Sequence, residues 1–545
     1  MNRLFFLLNI FCSSVVLGQH TNLPLGYSFN SDLNELIYDN SDKFHTSFKP
    51  LIKSKLFFSL DSIKKNNIVN DDSWFLRKIF NEHLFELRNE DFELFVSPAM
   101  NFSFGRELDE DQNLFTNTRG FMVESNLGDN LSFSSSFFEN QSIFPNYLYS
   151  YIKQNKVVPG QGYARTFKEN GFDYAMASGY VSYRSDKFFS VQFGHGKHFI
   201  GDGYRSLFLS DNSFNYPYLM IQTDLGKIQY TNLYAEFMDI NYFRTHGSDN
   251  KDQIGYPKKY MSSHHLSYNL SSKFNISLYE SVIWRMNHAP GSRGFDVNYL
   301  NPISLLRPIE FSLNSPDNVL IGISSKYTFN KSYLYSQLIV DEFSLEDLKK
   351  NNGFWGNKYG YQIGFKKFNS LSINNLTFQV EYNYVRPYTY AHHNPQQNYA
   401  HYNQPLAHPL GANFSEMLFI LHYKIQKLEI LARYVSAQYG GKIINDPTSY
   451  GNDLFYSTGN YAEENDLVNM GSGRPSDFGI EMYQGNHSFV KYLNFSSSYV
   501  VNPLTNLKIS LSYTLRNFKN DHEQINTSFI SFGLMTDLFN NYYDF

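Results

Sequence analysis

Residues 507–516 read Leu-Lys-Ile-Ser-Leu-Ser-Tyr-Thr-Leu-Arg, with an apolar side chain at every second position from Leu507 to Leu515. Residues 318–329 (NVLIGISSKYTF) and 376–385 (LTFQVEYNYV) alternate in the same way. Successive side chains of a β-strand point to opposite faces of the sheet. Each stretch therefore predicts a strand with one apolar face and one polar face.

Working outward from these stretches, the alternation recurs in eighteen segments from about residue 91 to the C-terminus. The predicted strands are 91–104, 117–127, 130–140, 171–184, 187–195, 216–225, 227–238, 263–272, 274–285, 318–329, 332–342, 357–367, 374–386, 414–425, 427–438, 488–500, 506–518 and 527–539. The fold class predicted is all-β, an antiparallel transmembrane β-barrel of about 18 strands.

The lengths of the connections support the barrel. Even-numbered strands are followed by short links such as 128–129 and 501–505, whereas most odd-numbered strands are followed by long ones such as 286–317 and 439–487. Outer-membrane barrels have short periplasmic turns and long extracellular loops. The alternative is a soluble multi-domain β-sandwich. Sandwich strands also alternate apolar and polar residues, but their long and short loops need not follow odd- and even-numbered strands in turn. An even strand count would place both ends of the barrel domain on the short-turn side.

Composition narrows the function classes. The 545 residues contain 46 Lys and Arg against 51 Asp and Glu, a net charge of −5, which disfavours a nucleic-acid partner. After the first 18 residues no apolar run reaches the roughly 20 residues that a membrane helix needs. Aromatic residues make up 18% of the chain, which suits a protein with lipid interfaces or ligand-binding rings.

Three regions are predicted along the chain. Residues 1–18 combine Arg3 with a short apolar stretch and read as a secretory signal peptide, which also contains the single cysteine, Cys12. Residues 19–90 are predicted to form a periplasmic helical segment, with one helix capped by Ser73 and extending to Leu87, and another over 51–63. Residues 91–545 form the barrel, whose lumen would be wide enough to need filling.

The stretch 193–206 (FGHGKHFIGDGYRS) is the most motif-like in the chain. A dinucleotide-binding loop is excluded because no βαβ unit surrounds it. His195 and His198 lie three residues apart without a third ligand nearby, so we predict no metal here and no cofactor elsewhere. We expect a polar loop tucked into the barrel mouth, in which Asp202 and Arg205 pair as a lock beside Tyr204.

Residues 386–412 combine tyrosines with many amide side chains. Flat aromatic faces stack on the apolar face of a sugar ring, and amides hydrogen-bond its hydroxyls. The alternative is a loop packed on itself without a ligand. The residues predicted to bind polysaccharide are Tyr388, Tyr390, His392, His393, Tyr399, Tyr402, Asn403 and Gln404, together with Asp202, Tyr204, Arg205 and Arg307.

Catalysis is not predicted. No G-x-S-x-G elbow or H-E-x-x-H helix occurs in the sequence. Two further functions stay open beside polysaccharide binding. One is an open pore or transporter for small solutes or saccharides. The other is a glycosidase, since carboxylates are numerous and could include a catalytic pair.

Five stretches carry a family resemblance: 193–209 (FGHGKHFIGDGYRSLFL), 210–219, 230–239, 301–317 (NPISLLRPIEFSLNSPD) and 401–414. They resemble the Wzi-like capsule-assembly outer-membrane proteins, and more closely the branch of that family that acts in gliding motility. The resemblance implies an eighteen-stranded barrel in the Gram-negative outer membrane that contacts lipid, surface polysaccharide or capsule, and gliding machinery. It implies no set of ligand residues.

Overall fold

A computed structural model describes residues 20–39, 44–56, 73–185, 188–240, 255–286, 293–303, 305–315, 317–459 and 473–545. Its central element is a closed antiparallel barrel of eighteen strands. They are β1 Phe92–Glu107, β2 Gln112–Leu127, β3 Leu131–Ile143, β4 Gly171–Arg184, β5 Phe189–Gly196, β6 Tyr216–Leu225, β7 Ile228–Met238, β8 Lys258–Asn269, β9 Phe274–Arg285, β10 Asn318–Phe329, β11 Ser332–Glu342, β12 Lys358–Lys367, β13 Leu376–Val385, β14 Phe414–Ile425, β15 Leu428–Gly441, β16 Asn486–Asn502, β17 Leu507–Lys519 and β18 Gln524–Thr536.

The barrel closes where its last strand meets its first. β18 pairs with β1 from Phe529 opposite Glu107 to Met535 opposite Asn101. The other half of β1 pairs with a short strand, Phe85–Arg88, in which Phe85 lies opposite Val96. Every wall strand thus has its backbone groups paired on both sides, which is what a strand needs to cross a bilayer.

The predicted alternation sorts side chains between the lumen and the outside. On β10, Ile321 and Ile323 point outward and are 50% and 39% exposed, whereas Lys326 points inward and is 3% exposed. The apolar face of the wall therefore faces outward, where lipid lies around a membrane barrel. The polar face turns inward and needs partners inside the lumen.

All eighteen predicted strands are confirmed, with changes at some ends. β8 begins at Lys258 rather than at 263, because its backbone pairs with β7 as far as Met238. The predicted last strand, 527–539, ends at Thr536 in the structure, and residues 537–545 fold back into the lumen. The C-terminal aromatic residues therefore pack inside the barrel rather than extending β18.

The N-terminal region differs from the sequence prediction. Helix α1, Tyr27–Asp39, was not predicted. Helix α2, Trp74–Phe80, begins after Ser73 as expected, and Asn81 caps its C-terminal end. The predicted continuation of this helix to Leu87 is wrong, because the chain there enters the short strand that pairs with β1. Of the second predicted helix, residues 51–56 contain only the single 3-10 turn Lys53–Lys55; its remainder and residues 1–18 lie outside the described residues.

Within the described residues, the long connections carry three short α-helices. They are α3 Asn146–Asn155, α4 Leu306–Ser312 and α5 Leu345–Lys350, and each lies in a link that follows an odd-numbered strand. We call the end of the barrel with these links the long-loop rim and the opposite end the short-turn rim. Within the described ranges, no helix has the length and apolar character required to cross a membrane.

The core of the protein lies inside the barrel. Its largest cluster of buried apolar side chains joins inward positions of the wall to residues of the loops, with Leu207, Phe208 and Tyr399 among its members. The described segments that enter the lumen are residues 20–39 with 44–56, the loop 197–215, the loop 386–413 and the C-terminal residues 537–545. We refer to them together as the plug.

Candidate functional site: the plug and the long-loop rim

The N-terminal part of the plug is bound to the inner wall by polar contacts. The backbone N–H of Asn22 donates to Tyr180 on β4 at 2.7 Å, and Ser28 donates to Glu429 on β15 at 2.9 Å. His45 hydrogen-bonds Ser267 on β8 at 2.9 Å. These strands lie on different sides of the barrel, so the described residues 20–39 and 44–56 stretch across the lumen. Whether this segment faces the periplasm stays a prediction.

Asp202 does not pair with Arg205, and that prediction is wrong. Its carboxylate accepts hydrogen bonds from Thr46 at 2.6 Å and Tyr38 at 3.0 Å, and Lys326 lies 3.8 Å away. The turn 201–205 directs Asp202 toward β10 and the N-terminal part of the plug. It directs Arg205 toward β14 instead, because Gly203 between them packs against the wall.

Arg205 forms the lock with two other carboxylates. Its Nη2 lies 2.9 Å from Oε1 of Glu416 and 3.0 Å from Oδ1 of Asp544, and its Nε lies 3.3 Å from Oε2 of Glu416. The guanidinium stacks near the rings of Tyr204 and Tyr542. Arg205 is 1% exposed, so water cannot replace either partner. This one side chain joins the loop after β5, the wall and the C-terminal residues.

Glu381 on β13 holds the backbone of the same turn. Its carboxylate accepts the backbone N–H of Tyr204 at 2.8 Å, that of Arg205 at 3.1 Å, and the hydroxyl of Tyr335 at 2.7 Å. A side chain at Gly203 would meet this carboxylate and the ring of Tyr335. The turn therefore has a fixed position against the wall, and glycine is required for it.

The C-terminal residues are bound on the same side of the lumen. Asp211 accepts the hydroxyl of Tyr542 at 2.7 Å, and Asp544 accepts Nη1 of Arg433 at 2.9 Å. Burial opposes the charge on Asp544, but Arg205 and Arg433 outweigh it and hold the pKa of its carboxyl below the usual value. Burial raises the pKa of Asp211.

The tyrosines predicted to stack on sugar are packed inside the plug. Tyr388, Tyr390 and Tyr399 are each at most 1% exposed. Tyr388 donates to the carbonyl of Ser449 at 2.7 Å, Tyr390 to that of Leu207 at 2.8 Å, and the hydroxyls of Tyr399 and Tyr279 lie 2.7 Å apart. In this conformation Tyr399 binds the loop to the wall, whereas Tyr388 and Tyr390 bind it to two other loops. The role of the three rings in ligand binding stays a prediction.

The polar residues of that loop also have internal partners. Gln404 accepts the backbone N–H of Gly160 at 2.7 Å and donates to Gln161 O at 2.9 Å, and Asn403 donates to Asn155 O at 2.9 Å. The unpredicted His401 accepts the backbone N–H of Met238 at 3.0 Å and donates from Nε2 to Asn215 O at 3.1 Å. Burial lowers the pKa of His401 to about 3, so its ring is neutral.

Four of the predicted residues have side chains that are at least partly exposed. Tyr402 is partly exposed, and its ring lies 5.0 Å from that of Phe214 and 6.2 Å from that of Tyr256. Tyr163, 44% exposed, follows Gly162, at which an added Cβ would lie 3.0 Å from Cζ of Phe214. We call Tyr163, Phe214, Tyr256 and Tyr402 the rim aromatic cluster. His393 and Arg307 are exposed as well, and His392 is partly exposed; Arg307 pairs with Glu310 at 3.2 Å.

The histidines of 193–206 do not meet. His195 bonds the carbonyl of Ala177 at 3.0 Å, whereas His198 bonds the hydroxyl of Tyr216 at 3.1 Å. Among the residues that the structure describes, no group of three His, Cys, Asp or Glu side chains is arranged to hold a metal ion.

Several residues of the lock were missed from the sequence. Glu381 and Glu416 are each the only carboxylate of their predicted strands, 374–386 and 414–425, and an acidic side chain on a lumen face could have indicated them. Asp544 lies beyond the predicted last strand, 527–539, and gave no signal. In the rim aromatic cluster, Tyr256 was missed because it lies in a polar loop without a motif.

The fold is similar to those of solved outer-membrane proteins. The barrel is similar to Wzi of Escherichia coli, an outer-membrane protein involved in group 1 capsule assembly and described as a carbohydrate-binding β-barrel. The TM-score is 0.53 with 13% identity, over 94% of this chain and 99% of Wzi.

Other barrels are more distant. They include OprD of Pseudomonas aeruginosa (TM-score 0.40, 10% identity, 84% of this chain and 96% of OprD) and OccAB2 of Acinetobacter baumannii (TM-score 0.41, 10% identity, 81% and 96%). Fold similarities with TM-scores of 0.40 and 0.41 are too low to indicate a shared function. No protein-family model and no curated protein sequence matches the chain. The fold and the plugged lumen thus define an outer-membrane-type β-barrel of the same architecture as Wzi.

Proposed function

We propose that this barrel acts at the surface of a Gram-negative cell by binding or organising polysaccharide, as a RemB-like component of gliding motility. The predicted signal peptide would direct export of the chain across the inner membrane. In the outer membrane, the long-loop rim would face the environment and the short-turn rim would face the periplasm. The proposal is supported by the similarity to a carbohydrate-binding barrel and by the family resemblance of the sequence.

The observation that carries the proposal is the rim aromatic cluster. Tyr402 and Tyr256 are partly exposed and Tyr163 is 44% exposed, on three different loops of one rim. Tyrosine rings present an apolar face to a sugar and a hydroxyl to its edge. Because buried tyrosines fix the loop 386–413 to the wall and to neighbouring loops, Tyr402 is held in place before any ligand arrives, which lowers the cost of binding.

The experiment measures retention of surface glycans by the purified barrel. We expect Tyr402→Ala and Tyr256→Ala to lower glycan retention at least several-fold, while heat-modifiable gel migration is unchanged. The matched control is Tyr183→Ala, because Tyr183 is 48% exposed at the short-turn rim. Equal retention by all variants, or no retention by the parent protein, would remove polysaccharide from the proposal. The gliding role is tested separately by deleting the gene and scoring cell spreading and capsule retention independently.

An open pore is the second candidate, and the plug argues against it. Backbone and side-chain groups of residues 20–39 and 44–56, of the loop 197–215 and of 537–545 are hydrogen-bonded to inward side chains on β4, β8, β10, β13, β14 and β15. We therefore expect the protein to show little conductance in planar bilayers. We also propose that the chain is not an enzyme, and release of reducing ends from a surface glycan that disappears on substitution of one carboxylate would contradict this.

A further inference from the structure

In the connection between β9 and β10, the described residues 293–303 and 305–315 fold over the outside of the barrel rather than into its mouth. Even-numbered residues of β9 face outward, as Leu278 shows with 51% exposure, whereas Tyr279 meets the plug residue Tyr399 inside. Yet the outward residues Val282 and Trp284 are fully buried, packed against Tyr299 and Leu306 of the connection. We call residues 293–303 and 305–315 the lateral flap.

The lateral flap is attached firmly to the wall. Glu280, an outward residue of β9, accepts the backbone N–H groups of Leu306 and Arg307 at 2.9 Å each. Ser262 on β8 donates to Tyr299 O at 2.8 Å, and Tyr234 on β7 donates to Leu300 O at 3.0 Å. The flap thus covers polar groups on the outer wall, and its own position is fixed.

The attachment is reinforced within the flap. Arg293 pairs with Asp296 and Asp317 at 2.8 Å each, and Tyr299 donates to Asp317 at 2.7 Å. Trp284 also donates from its indole to Gly294 O at 3.2 Å. The direction of the flap's side chains is therefore determined by this packing.

The outer face of this fixed flap carries many large apolar side chains. The exposed apolar residues, with their exposed fractions, are Phe295 40%, Val297 70%, Leu300 38%, Ile303 86%, Leu305 68% and Phe311 84%. The exposed polar residues of the flap are Asn298, Asn301, Arg307, Ser312 and Asn314. Large apolar side chains exposed in this number on a fixed surface mark an interaction with a protein or a membrane.

We propose that the lateral flap inserts this face into the lipid leaflet at the long-loop rim. The surface is continuous with the outward apolar face of the wall, since Glu280 beneath the flap is paired in register with the exposed Ile321, and Leu278 lies two residues along β9. Arg307 pairs with Glu310 at the edge of this surface, which is where a long cationic side chain can reach the headgroups. The flap therefore widens the lipid contact of the barrel on one side.

The test places fluorophores on single cysteines in a Cys12→Ser background of the full-length protein, reconstituted in liposomes that contain nitroxide-labelled phospholipid. Ile303→Cys and Phe311→Cys report on the flap. Ile321→Cys is the reference for lipid, and Glu346→Cys, at a side chain 77% exposed and paired with Lys350 on α5, is the reference for water. We expect quenching at 303 and 311 to reach at least half of that at 321 and to exceed that at 346 several-fold.

Quenching at 303 and 311 as weak as at 346 would overturn the proposal. Photo-crosslinking from position 311 to a protein in intact cells, combined with weak quenching in liposomes, would assign the surface to a protein partner instead and would also overturn it. Folding of each variant is checked by heat-modifiable gel migration, and Val297→Cys replaces either variant that fails to fold. None of these outcomes depends on binding of polysaccharide.

Discussion

The guanidinium of Arg205 holds the carboxylate of Glu416 with two nitrogens, Nη2 to Oε1 at 2.9 Å and Nε to Oε2 at 3.3 Å, inside a membrane-type barrel. Both side chains are at most 1% exposed. Removing one partner of a buried pair leaves an uncompensated charge, which costs far more than the pair itself contributes. The loop after β5 is therefore committed to its position in the lumen.

Replacement of this arginine should release the plug. We expect Arg205→Met to lower the free energy of unfolding by about 3–5 kcal/mol, because Glu416 and Asp544 both lose a buried cation. Planar-bilayer recordings should then show larger and more frequent conductance steps. Arg106→Met is the control, since Arg106 is an exposed residue paired with Asp111, and its loss should cost at most about 1 kcal/mol. Stability and conductance equal to those of the parent would contradict the lock.

Gly203 allows the turn to approach the wall. In Gly203→Ala the added Cβ would lie 2.8 Å from Cε2 of Tyr335 and too close to the Glu381 carboxylate. Overpacking of this kind costs about 1–3 kcal/mol, so we expect a lower melting temperature in detergent micelles. Gly294→Ala serves as the control, because nothing lies within 4 Å of its added Cβ. A Gly203→Ala protein as stable as the Gly294→Ala protein would show that the turn is free to move.

A substitution at Tyr399 distinguishes a packing role of this residue from a role in ligand binding. Tyr399→Phe removes a hydroxyl 2.7 Å from the hydroxyl of Tyr279, and we expect a loss of about 0.5–1.5 kcal/mol in the free energy of unfolding. Glycan retention should not change. Tyr183→Phe, at an exposed position, should stay within about 0.5 kcal/mol. If retention falls in Tyr399→Phe while the unfolding free energy does not, the hydroxyl of Tyr399 contacts the ligand directly, and the plug must open for it.

The wall could be predicted from the sequence and the plug could not. Alternation of apolar and polar residues is a local property, so each strand was visible in about ten residues. The lock joins Arg205 to a residue 211 positions away, and such pairs are decided by which lumen faces meet after the barrel closes. The tyrosines of the loop 386–412 were recognised as a group, but composition alone does not distinguish a ring that faces a ligand from one that packs against Leu207 or Ser449.

The pH dependence of the plug should follow His401. Burial lowers the pKa of this ring from 6.5 to about 3, so the unfolded state binds more protons than the folded state between these pH values. The stability contributed by the neutral ring is therefore fully present above pH 6.5 and is lost as the pH falls toward 3, at up to about 1.4 kcal/mol per pH unit. Burial also lowers the pKa of His408, so a second histidine adds to the slope of the unfolding free energy against pH.

Denaturant unfolding in micelles from pH 7 to pH 4 measures this slope. We expect His401→Gln to lower it by roughly one proton. We expect no such change in His522→Gln, where the replaced histidine is exposed in the β17–β18 connection. Parallel pH profiles for the His401→Gln protein and the parent would show that the ring is protonated without cost and that its bonds to Met238 and Asn215 do not fix the loop.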